Sequence, residues 1–75
     1  LTEQEIIELL KKENEEFRKL EEEHKNLKNN LVEIDRKVYL TTEEEVERKK
    51  LQKLKLIKKD RMAELIREYK KGRSN

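Results

Sequence analysis

The segment FRKLEEEHKNLKNNL, residues 17–31, sets Phe17, Leu20, His24, Leu27 and Leu31 at alternating steps of three and four. Side chains so spaced share one face of a helix, and a row that keeps the spacing is the seam of a coiled coil. Toward both ends the row grows to Leu10, Phe17, Leu20, His24, Leu27, Leu31, Ile34 and Val38. A second row reads Leu51, Leu54, Lys58, Met62, Leu65 and Tyr69, again with one polar member. Folding the second row back on the first pairs Leu31 with Leu51, Leu27 with Leu54, His24 with Lys58, Leu20 with Met62 and Phe17 with Leu65. In every pair the two positions add to 81 or 82, so one register aligns both rows. The expected fold is all-α, an antiparallel, coiled-coil-like two-helix hairpin that assembles into a helical bundle.

Two capping boxes mark helix starts: Thr2 with Glu5, and Thr41 with Glu44. In each, a hydroxyl and a carboxylate satisfy backbone N–H groups that the first helical turn leaves without partners. RKVYLTT, residues 36–42, lacks clear helical polarity. The expected single domain over 1–75 has helices at 3–38 and 42–71, a turn at 39–41 and a frayed tail at 72–75. Gly72 is expected to stop the second helix in a left-handed C′ conformation.

Of the 75 residues, 20 are Lys or Arg and 18 Asp or Glu; proline and cysteine are absent and glycine occurs once. Disulfides and thiolate metal sites are thereby excluded. No apolar run approaches the roughly 18 residues of a membrane span, and the start LTEQEIIELLKKEN has no basic n-region of a signal peptide. A soluble cytoplasmic protein with no membrane contact is expected. Charge is unevenly spread: residues 1–24 carry nine acids and four bases, residues 48–75 three acids and twelve bases. An acidic first segment and a basic last one attract each other in an antiparallel hairpin.

The combination of Phe17, Leu20, His24, Leu27 and Leu31 with YLTTEEE (39–45) and LQKLKLIKKDRM (51–62) resembles the YdcH-like family of small, uncharacterised bacterial proteins. The likeness covers about residues 5–70 and rests on helical patterns. It implies a helical hairpin with no assigned activity. Two positions depart from the family pattern: Lys58 stands where many members have leucine or a small residue, and Glu16 where some have proline. The second departure lets helix one run on through Glu15 and Glu16.

His24 and Lys58 face each other in the expected register. Either they form a polar layer that fixes register, with His24 neutral, or His24 lies at an exposed edge while Lys58 extends its stem along the seam. Glu21 and His24 have the Glu-x-x-His spacing of di-iron bundles. Lys55, Lys58 and Arg61 on the facing helix repel a cation, so neither metal nor cofactor is expected. With one histidine, no cysteine and no phosphate-cradling glycine loop, the chain is not expected to be an enzyme or to take a small-molecule substrate.

Lys49, Lys50, Lys53, Lys55, Lys58, Lys59 and Arg61 make a cationic stretch suited to phosphates. The acidic facing helix and the lack of aromatics among these residues weigh against nucleic acid. The apolar surplus gives the preferred reading. In the 82 register Leu10 falls opposite residue 72 and Ile6 beyond the chain, so Ile6, Ile7, Leu9 and Leu10 have no mates in a simple hairpin. Leu56, Ile57, Ala63 and Ile66 lie off the second seam. Two solutions exist: a bend in KKENEE with Asn14 as a second N-cap, folding residues 2–12 over Ala63 and Ile66, or association of hairpins. Association is preferred, because a lone hairpin buries little core. The expected function is a protein-interaction or self-assembly module, as a homo-oligomer or with another helical protein. The alternative is a nucleic-acid-binding accessory protein.

Overall fold

The computed structural model describes residues 1–73, which form three helices: α1 (Glu3–Glu13), α2 (Glu15–Asp35) and α3 (Thr42–Arg73). The architecture is all-α but has three helices where two were expected. Both capping boxes are present. Thr2 Oγ1 accepts from the Glu5 N–H at 3.2 Å and Glu5 Oε1 from the Thr2 N–H at 3.0 Å; the Thr41–Glu44 pair does the same at 3.1 and 3.0 Å.

The break lies at Asn14, which leaves the helical region (φ −117°, ψ 110°). Its Oδ1 accepts from the Phe17 N–H at 3.0 Å and starts α2, while its own N–H donates to the Leu10 carbonyl at 2.8 Å and closes α1. Residues 3–13 thereby fold back on α2 and α3. The expectation that helix one runs unbroken through Glu15 and Glu16 is corrected, and the bend rather than association covers the apolar N-terminus. Energetics explain the choice. Interrupting the ladder forfeits about three hydrogen bonds, each about 1 kcal/mol net, and the Asn14 cap recovers about 1 of these. Burying Ile6 and Leu10 contributes about 1.5–3 kcal/mol apiece, which exceeds the remainder.

α2 and α3 pack antiparallel along an elongated body of 52 × 19 × 16 Å. Lys58 with Glu23 (3.1 Å) and Arg48 with Asp35 (2.7 Å) tie them together, each pair within one position of the 82 register. The main core cluster sits at the end away from the α2–α3 loop: Ile6, Leu10, Phe17, Leu20 and Leu65 are buried together, with Ile7, Met62, Ile66 and Tyr69 against them, while Leu31 is buried apart from it, nearer the loop.

Two expected boundaries shift. α2 ends at Asp35, and the loop spans 36–41 rather than 39–41. The Lys37 N–H bonds the Ile34 carbonyl at 3.1 Å, a tight i−3 closure, and Val38, placed on the seam by its spacing, is fully outside with Tyr39. At the other end Gly72 stays within α3, with no positive φ. Glycine permits a left-handed C′ but does not enforce it, and nothing lies within 4 Å of its missing Cβ to divert the chain. The remainder of the expected tail, positions 74 and 75, lies outside the described residues.

Candidate interaction surface

Each side chain singled out in the sequence now has a place. Ile6 and Leu10 are 3 % and 4 % exposed, held in the core by α2 and α3, and Ile7 and Leu9 are half-buried. The expectation that these residues lack mates inside one chain is corrected for Ile6, Ile7 and Leu10, which the fold-back packs into the core; Leu9 lies beside Leu1 and the α1 residues Gln4, Glu5 and Glu8. Ala63 and Ile66 are half-buried beneath α1. Leu56 and Ile57 stay in water, 57 % and 51 % exposed. Val46, which sequence reasoning passed over, is 63 % exposed. It lies eleven residues before Ile57, about three helical turns, and so shares its face. The signal was present but hidden between Glu45 and Glu47, and it has meaning only once α3 is known to be one unbroken helix.

The basic residues divide into two groups. Arg61 is bound by Glu16 through two hydrogen bonds (2.9 and 3.1 Å) and by Glu64 at 2.8 Å, and Lys58 by Glu23. Lys49, Lys50, Lys53, Lys55 and Lys59 have no carboxylate within ion-pair distance among the described residues. Lys50 and Lys53 stand seven and four residues before Ile57, and Lys49 and Lys53 seven and three before Leu56. Each exposed apolar side chain thus has unpaired ammonium groups as its helical neighbours. Facing away from α2, this stripe of α3 is both apolar and cationic.

His24 and Lys58 line different grooves. His24 borders one of about 310 Å³ beneath α1, with Ile7, Phe17, Met62, Ala63, Ile66 and Lys59, and Glu3 and Glu21 at its rim. Lys58 borders another with Glu23, Asn26, Leu27, Asn30 and Leu54. The His24 Nε2 atom is buried without a hydrogen-bond partner. Burial first, then the nearby Lys55, Lys28 and Lys59 cations, hold the imidazole pKa below its ordinary 6.5. A depressed folded value means that neutral His24 contributes stability fully present above pH 6.5 and lost as pH falls through the folded pKa. The Glu16 and Glu44 carboxyls, lowered chiefly by hydrogen bonds from Arg61 and Lys37, act in the same direction but below their ordinary 4.5. Denaturant titrations between pH 8 and 3 should therefore show two separate losses of stability. A His24→Leu variant should lack the upper one and keep the lower; two unchanged losses would exclude His24 as the source.

Among the described residues, no group of three His, Cys, Asp or Glu side chains is placed to hold a metal ion. No helix among them is long and apolar enough to cross a membrane. Against known families, a model described as "Protein of unknown function (DUF465)" matches residues 17–66. That span begins just after the Asn14 bend and covers nearly all of α2 with α3 as far as Ile66, leaving α1 outside it. No curated protein and no solved structure matches the chain.

Proposed function

We propose that this chain, which belongs to the DUF465 family of proteins of unknown function that includes the YdcH-like proteins, is a protein-interaction module. Its outer α3 stripe docks an acidic, amphipathic helix of another protein. The observation that carries this reading is the exposure of Val46, Leu56 and Ile57 along a face where Lys49, Lys50 and Lys53 have no carboxylate partner among the described residues. An apolar stripe flanked by uncompensated cations is complementary to an apolar stripe flanked by carboxylates. Self-association through the same stripe is disfavoured, since a two-fold contact sets lysine against lysine. The half-exposed apolar side chains supply contact area, and the lysines supply orientation and on-rate.

Nucleic acid is the second reading, favoured by the same unpaired lysines together with Lys59. The aromatics contribute no stacking platform beside them: Phe17 is buried, Tyr69 packs against the core, and Tyr39 sits in the loop before α3. A titration with two synthetic helical peptides and one mixed-sequence DNA duplex separates the readings. The peptides share a leucine stripe and differ in carrying glutamate or lysine beside it. The glutamate peptide should bind, and Leu56→Ser with Ile57→Ser should weaken it at least about tenfold, roughly 1.4 kcal/mol. Equal binding of both peptides would overturn the proposal. So would DNA binding that exceeds peptide binding and ignores Leu56 and Ile57.

A further inference from the structure

We infer that α1 is an exchangeable arm, and that two copies of this chain form a closed two-fold dimer in which each α1 occupies the other's core groove. The groove is shaped for a helix of this sequence, because it holds one: Ile6 and Leu10 are buried among Phe17, Leu20 and Leu65. The arm is joined to the rest by one non-helical residue, Asn14. Beside apolar contact and the Asn14 junction, the Lys11–Glu21 ion pair at 3.4 Å ties the arm to α2. All of these contacts form equally well between two chains.

The hinge is poised between two backbone states. In the bent state the Asn14 side chain caps the Phe17 N–H. If Asn14 turns helical, that bond is lost, but the N–H groups of residues 15–17 regain carbonyl partners in residues 11–13. α1 and α2 then fuse into one helix over residues 3–35, 33 positions long against the 32 of α3. In the straight form the 82 register sets Leu10 opposite Gly72 on the last turn of α3 and carries Ile6 past Arg73, and the vacated groove opens at that same end. Two straight chains meeting end to end cover both surfaces reciprocally, and the two-fold axis closes the assembly at two copies. Short hinges that change between two conformers favour such exchange. This dimer uses the core end of the molecule and leaves the α3 stripe of the proposed function free.

Sedimentation equilibrium up to about 1 mM, on the full chain and two hinge variants, tests the inference. Asn14→Ala removes the cap and favours helix at the hinge, once per chain and twice per dimer, so the association constant should rise about tenfold or more. Glu15→Pro should lower it by a similar factor: proline is tolerated at the first helical position, and it holds the preceding residue extended, as Asn14 already is. Mixed labelled and unlabelled wild-type chains at the highest concentration should give intermolecular NOEs from Ile6 and Leu10 to Phe17 and Leu65. A wild-type chain that stays monomeric, a dimer without those NOEs, or one indifferent to Glu15→Pro would overturn it. Should Asn14→Ala fail to fold, the wild-type and Glu15→Pro measurements decide alone.

Discussion

Truncating Phe17 to alanine should cost about 3–5 kcal/mol and lower the melting temperature by about 15 °C or more. Phe17 is the largest fully buried side chain among the described residues and lies where α1, α2 and α3 meet. A chain of 75 residues has a small total stability, so this loss removes most of it. Leu54, on the facing row of α3, is 37 % exposed and outside the core cluster, and it is the comparison: Leu54→Ala should cost about 1–2 kcal/mol. Thermal melts followed by circular dichroism at 222 nm measure both. Equal losses would mean that the core is spread along the hairpin rather than gathered under α1.

Leu10→Lys should be nearly as damaging, on the order of 3 kcal/mol or more, since it replaces a buried aliphatic side chain with an ammonium that has no partner there. Ile57→Lys, the same class of change on the exposed α3 face, should stay within about 0.5 kcal/mol. The contrast separates the fold-back from an open hairpin. If residues 3–13 were a free docking arm, Leu10→Lys would leave the melt untouched and change association alone. Urea denaturation of the two variants at low micromolar concentration gives the answer.

How far the sequence could lead depended on whether neighbours or distant residues decided the outcome. The capping boxes at Thr2 and Thr41 are local chemistry and read correctly. The pairing of Phe17, Leu20 and Leu65 was legible too, because the spacing of two helical rows leaves one register that aligns them. Asn14 is different. A cap residue inside a run of good helix formers is compatible with a continuous or a broken helix. The choice was made by Ile6 and Leu10 reaching a groove formed by residues 17–66, which local propensity does not register. Val38 kept the heptad step yet lies in the loop, since spacing alone does not reveal where a helix stops having a facing partner. Of the surface features, Leu56 and Ile57 were visible as residues off the seam. The division of lysines into paired Lys58 and unpaired Lys49, Lys50 and Lys53 depended on where the carboxylates of α2 fell, and so emerged only in three dimensions.

The chain covers its own apolar N-terminus and leaves the outer face of α3 exposed, free for the partner proposed above. Hydroxyl-radical footprinting of the dilute protein, read residue by residue by mass spectrometry, tests both halves together. Val46, Leu56 and Ile57 should be oxidised readily while Ile6, Leu10 and Phe17 are protected. Oxidation of Ile6 and Leu10 at rates matching Ile57 would contradict it.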